Sequence, residues 1–250
     1  MNGDAMAAVR FTSSGDTAFN VEFGETIDRA TNARVMDLHA RLTRARADGA
    51  APGLVETVPT FRSLMVVYDP VATTRRELEA LVGSVIDASG TAGATGALWH
   101  LPVCYDTDLA PDLAELAAAR GLTPEQAAAV HASGEYFVYM LGFMPGFAYM
   151  GGLDAALEQP RRAEPRVKVP AGSVAVAGRL TTVYPWESPG GWHLIGGCPV
   201  PLFDAARDRP VLLAAGDRVR FTTIDRARYE TLRADAAAGR FDPETLRAKE

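Results

Sequence analysis

Along the first ninety residues the apolar positions follow two rhythms in turn. Val9 to Thr12 and Ala18 to Phe23 read as short strands about the turn Ser13-Ser14-Gly15-Asp16. From Ile27 to Asp48 the spacing lengthens, and Val35, Leu38, Leu42 and Ala45 recur every three or four residues between Arg34, Asp37, Arg41 and Arg44. That is the stripe of an amphipathic helix, and Gly49 with Pro52-Gly53 stops it. Leu54 to Val58 and Ser63 to Tyr68 return to strand texture on either side of Pro59. Thr74 and Glu77 then form a capping box at the head of a helix reaching about Ala88. The order β-β-α-β-β-α predicts a small α+β domain over residues 1–92.

Ser89 to Gly96, rich in small residues, is the expected linker to a second domain over 93–250. There Leu98 to Cys104 reads as a strand, followed by a helical pair at Pro111–Arg120 and Pro124–Ser133. The second helix carries Thr123 as its cap, Pro124 in its first turn and Gln126 completing the box. Beyond it the texture changes. Residues 142–201 hold 10 of the 23 glycines and 8 of the 16 prolines, so long helices cannot form there. Short strands joined by shaped loops fit instead: Val174–Ala177, Thr181–Tyr184, Trp192–Gly196 and Arg218–Ile224, closed into a barrel or sandwich. A helix from Arg226 to Ala238 and a charged tail follow.

Composition narrows the chemistry. The 250 residues carry a net charge of −6 and no dense basic stripe, which disfavours nucleic acid as a partner. No apolar run approaches the ~18 residues a membrane span needs, and the N-terminus lacks a signal-peptide pattern. Cys104 and Cys198 stand alone, and the four histidines lack metal-ligand spacing, so no metal site is expected. The reading is of a cytoplasmic protein. Only Lys168 and Lys249 are lysines among 25 basic residues, which singles out Lys168 in the body of the chain.

The candidate chemistry lies in the glycine- and proline-rich quarter. Leu141 to Gly152 sets Phe143, Phe147 and Tyr149 among Gly142, Pro145, Gly146, Gly151 and Gly152, suited either to walling a flat pocket or to packing a barrel corner. Pro160 to Val174 brings Arg161, Arg162, Arg166 and Lys168 together between prolines. In an extended segment Arg166 and Lys168 share a face, as an anion clamp requires. Ser173 and the backbone N–H groups of Pro170–Gly178 are further anion donors. Tyr184 to Gly197 adds Glu187, Ser188, Trp192 and His193, and Glu187 is the one carboxylate side chain between Glu164 and Asp204. It is therefore the acid/base candidate.

Taken together, HASGEYFVYMLGFMPGFAYMGGLD, PRRAEPRVKVPAGSVAVAG and VYPWESPGGWHLIG closely resemble the allophanate hydrolase subunit 1 family. That family is also known as the 5-oxoprolinase B subunits or the Kip-type kinase inhibitors. The resemblance is collinear over essentially the whole chain. It implies an α+β N-terminal domain followed by a mainly-β cyclophilin-like barrel. It also implies two partners, a C subunit of homologous fold and an A subunit, in an ATP-dependent 5-oxoprolinase that converts 5-oxoproline to glutamate. ATP is then the co-substrate, with magnesium supplied in the complex. The sequence departs from the family where AG-x-Q-T-G becomes Ala177-Gly178-Arg179-Leu180-Thr181-Thr182, and where GRTP becomes Gly196-Gly197-Cys198-Pro199.

Opening a lactam with ATP asks for positioning and for cations facing developing phosphate charge. On the resemblance, Arg161, Arg166 and Lys168 suit that task, and Ser173 orients the substrate carboxylate. His131 and Glu187 are the proton-transfer candidates, and Phe143, Pro145, Gly146, Phe147 and Trp192 are expected to line the substrate pocket. Two other functions fit the family: an inhibitor that binds a sensor histidine kinase, and the carboxyltransferase part of a urea carboxylase-like system.

Overall fold

The computed structural model describes residues 9–86 and 96–248. The chain divides into two compact units, Met1–Ala94 and Thr95–Glu250, and the boundary expected at residues 92–93 lies outside the described residues.

In the first unit the strands are β1 (Arg10–Ser13), β2 (Ala18–Glu22), β3 (Leu54–Pro59) and β4 (Ser63–Tyr68), with helices α1 (Arg29–Ala47) and α2 (Arg75–Ile86). The sheet runs β1-β2-β4-β3, antiparallel throughout. Asp28 caps α1 by accepting from the Thr31 N–H at 2.8 Å. In the capping box ahead of α2, Glu77 accepts from the Thr74 N–H at 2.8 Å. The helical stripe buries Val35, Leu38 and Leu42 against Phe19, Val21, Leu64 and Val66.

The second unit contains β5 (Leu98–Val103), α3 (Leu113–Ala119), α4 (Pro124–Ser133), β6 (Glu135–Leu141), β7 (Ala148–Gly151) and β8 (Arg166–Val169). Then come β9 (Ser173–Ala177), β10 (Leu180–Val183), β11 (Ser188–Gly190), β12 (His193–Gly197), β13 (Arg218–Thr223) and α5 (Arg226–Ala237). Seven of these strands form one curled sheet in the order β12-β9-β10-β7-β6-β13-β5. All its pairings are antiparallel except β13 on β5. Beside it β8 pairs with β11 as a separate two-stranded ladder.

The two edges of the curled sheet meet at one end. Cys104, just past β5, exchanges backbone hydrogen bonds of 2.8 and 2.9 Å with Gly197 of β12. A Cβ on Gly196 would come within 2.9 Å of Val103 and 3.1 Å of the Cys104 carbonyl, so a side chain would force the edges apart. The paired glycines thus mark the seam: Gly196 is the glycine that the family pattern keeps, and Gly197, which bridges to Cys104, stands where that pattern has arginine. The interior is filled by Trp99, Leu101, Val103, Tyr136, Val138, Met150, Val174, Val176 and Phe221.

Strand β7 lies inside the segment that reads from sequence as a shaped loop, and β6 precedes it. The glycines there serve a hairpin: Gly142 N–H donates to the Phe147 carbonyl at 3.2 Å. Phe143 is the one non-glycine residue with positive φ (68°) among the described residues.

Candidate functional site

Strand β8 holds the clamp segment. Its ladder to β11 pairs Ser188 with Val169 and Gly190 with Arg166, and Arg162 N–H donates to the Gly191 carbonyl at 2.8 Å. Two residues apart on β8, Arg166 and Lys168 face the same way, and both line a cleft of about 280 Å³. Val167 between them points outward and is 85% exposed. Ser173 and the glycines of β12 floor the cleft, while Tyr229 and Arg233 of α5 form part of its wall.

The residue that organises this cleft is Asp112, at the head of α3. It is 3% exposed. An aspartate there ordinarily caps its own helix, but this carboxylate makes no such bond. Its Oδ2 instead accepts from the Leu194 N–H at 2.7 Å, and its Oδ1 accepts from Arg166 Nη2 at 2.6 Å and Arg162 Nη1 at 3.2 Å. One buried carboxylate therefore serves two guanidinium groups, leaving a net positive charge. Arg166 Nη1 and Arg162 Nε are buried and find no protein acceptor. Unpaired buried donors on a cation are costly unless an anion completes them.

Lys168 and Glu187 form an exposed ion pair at 2.8 Å, and the hydrogen bond to Glu187 holds the Lys168 pKa above its ordinary value. The lysine is charged at neutral pH, and Glu187 shields it from solvent only in part. Cys198 lines an adjoining pocket that shares Gly172, Tyr229 and Arg233 with the cleft, and burial pushes its thiol up to about 12; it stays protonated.

His131 corrects the sequence reading. Its ring is fully buried, stacked on Phe221 at 4.6 Å between centroids. Thr181 Oγ1 donates to the Ala175 carbonyl, so His131 Nε2–H donates to Thr181 Oγ1 at 3.0 Å, and Nδ1 accepts from the Tyr105 hydroxyl at 2.7 Å. Burial pulls its pKa down to about 3. Both nitrogens are committed and the side chain has no exposed surface, so the structure places this histidine in the core, away from the cleft.

The aromatic residues also separate from the cleft. Phe147 and Trp192 are 1% and 4% exposed and pack edge-to-face with Tyr149 and Tyr184 in a second apolar cluster. Arg161 lies over the Trp192 ring at 6.0 Å, at the limit of a cation–π contact. Phe143 is exposed against Phe147, and Pro145 and Gly146 line a different cleft with Arg209 and Val211. Of the eleven sequence candidates the structure thus gathers Arg166, Lys168 and Ser173 at one cleft, with Glu187 on Lys168. Sequence reasoning missed Asp112, Tyr229 and Arg233, which lie 50 or more residues from the clamp. The available signal for Asp112 is an aspartate at a helix head, indistinguishable from a cap.

Among the described residues no three His, Cys, Asp or Glu side chains are grouped to hold a metal ion, and no helix is long and apolar enough to cross a membrane.

Comparison with known proteins defines the class to which this curled sheet belongs. The chain belongs to the carboxyltransferase domain family, subdomain C and D, whose model matches residues 9–213. It is 36% identical over 236 residues to the 5-oxoprolinase B subunit of Bacillus subtilis (strain 168), covering 89% of this chain and 95% of that protein. It matches the crystal structure of TTHA0988 with a TM-score of 0.73 at 38% identity, over 87% of this chain but 40% of that longer one. The Kluyveromyces lactis urea carboxylase shares the fold, with a TM-score of 0.77 at 19% identity over 94% of this chain and 23% of that one.

Proposed function

We propose that this chain is the B subunit of an ATP-dependent 5-oxoprolinase-type complex, acting with the A and C subunits. In that assembly its second unit is the family's cyclophilin-like barrel. The observation that carries the reading is the pair of buried, unpaired guanidinium N–H groups beside the cleft. Arg166 and Arg162 receive the carboxylate of 5-oxoproline, held in place by Asp112. Lys168 faces the charge that develops at the lactam oxygen, and Ser173 donates from the cleft floor. As that charge develops Lys168 exchanges Glu187 for it, which frees Glu187 to accept a proton from attacking water. ATP, with magnesium, activates the amide when bound in the complex. The family's carboxyltransferase description favours one other reading, transfer of a carboxyl group, which requires a biotin carrier.

The test is co-expression with the neighbouring subunits and measurement of ADP release. Release stimulated at least tenfold by 5-oxoproline is expected. Release that ignores 5-oxoproline contradicts the substrate assignment.

A further inference from the structure

The cleft has a second wall that the clamp residues do not explain. Helix α5 begins at Arg226, beyond residue 213 where the family match ends, yet its Tyr229 and Arg233 line the same cleft as Arg166 and Lys168. Arg233 lies against the cleft wall, its guanidinium 6.0 Å over the ring of Tyr229, which is itself 5% exposed. Its acidic neighbour is a weak competitor: Glu230 already accepts from Arg226 Nε at 2.9 Å and reaches Arg233 only at 3.4 Å. Arg226 is in turn committed to Asp108 at 2.6 Å. Arg233 is therefore a second cation of the cleft, supplied by α5 rather than β8, with guanidinium N–H groups beyond the one that Glu230 reaches.

We infer that the cleft recognises a small molecule with two acidic groups, one held by Arg166 and Arg162 and the other by Arg233. This rests on the function proposed above and deepens it. Hydrolysis of the lactam breaks the C–N bond. The nitrogen keeps the electron pair and takes a proton to become an amine, and the carbonyl carbon takes the water oxygen to become a second carboxylate. The ring-opened product is a dicarboxylate, its new carboxylate is formed at the carbonyl that Lys168 faces, and Arg233 adds the second cation that receives it. Arg233 is a specificity-determining residue supplied by the C-terminal helix, and it favours the opened form over the closed one.

The test uses the full chain and two probes, glutarate and the mono-acid pentanoate, titrated calorimetrically. Wild type is expected to bind glutarate at least tenfold tighter than pentanoate. Arg233→Ala, at a side chain 61% exposed and so without cost to the core, is expected to cut that ratio below threefold while leaving pentanoate affinity unchanged. Arg166→Ala is expected to weaken both acids. A glutarate preference that survives Arg233→Ala, or no preference in wild type, overturns the second anion site. Two acids that bind regardless of Arg166, or fail to bind wild type at all, overturn the underlying clamp instead.

Discussion

Replacing Asp112 with alanine is expected to destabilise the second unit by about 3 kcal/mol, because it leaves two guanidinium groups facing one another without their shared carboxylate. The side chain is 5% exposed and makes three hydrogen bonds, so little solvent is available to compensate. The arginines are 24% and 30% exposed and recover part of their hydration, which keeps the expected loss at the lower end of the buried-pair range. Asp112→Asn separates the two roles of the residue. Its amide oxygen still accepts from the Leu194 N–H, so the β12 contact survives, but its NH₂ faces Arg166 and Arg162. That variant should recover only the part carried by the Leu194 contact, about 1 kcal/mol, while losing acid binding as fully as Asp112→Ala. Urea unfolding followed by fluorescence reads this unit selectively, since the three tryptophans, Trp99, Trp186 and Trp192, all lie within it.

The second large effect is acid sensitivity centred on His131. Its pKa falls from 6.5 in the unfolded chain to about 3 when buried. Below pH 6.5 the unfolded state takes up a proton that the folded state refuses, so stability present above 6.5 is lost progressively as pH falls towards 3. The full window is worth on the order of 5 kcal/mol, and about 2 kcal/mol of it lies between pH 6.5 and 5, above the ordinary carboxylate range. His39, whose pKa burial also lowers, shares the sign but belongs to the first unit, which the tryptophans do not report. His131→Gln cannot take up the proton. It is expected to be less stable at pH 8 but to lose no more than a few tenths of a kcal/mol from pH 6.5 to 5. A wild-type slope unchanged by that substitution would show that another group carries the acid sensitivity.

Features that rest on short-range spacing were legible in the sequence. The stripe Val35, Leu38 and Leu42, the capping boxes at Thr74 and Thr123, and the shared face of Arg166 and Lys168 each follow from periods of two to four residues. What escaped depends on partners far apart along the chain. Asp112 meets Arg162 and Arg166 across 50 and 54 residues, and His131 meets Thr181 across 50. No local pattern marks such pairs, so from sequence His131 reads as a proton-transfer candidate and nothing singles out Asp112. The aromatic loop misleads for a related reason. Phe147 and Trp192 occur among glycines and prolines, as pocket residues do, but the close backbone approach those glycines permit is to other aromatic rings. A Cβ on Gly151 or Gly190 would lie 2.4 Å from Tyr139 or Tyr184. The seam at Cys104 and Gly197 is equally hidden, because Gly197 shows in the sequence only as a departure from the family pattern.

The central claim is that the Asp112-held arginines bind the acid end of the substrate. It is tested most directly by Arg166→Ala in the co-purified complex, with ADP release titrated against 5-oxoproline. The account predicts a complex that still assembles, with kcat/KM for 5-oxoproline reduced at least 100-fold, about 2.7 kcal/mol of transition-state stabilisation. Turnover and KM indistinguishable from wild type would contradict it.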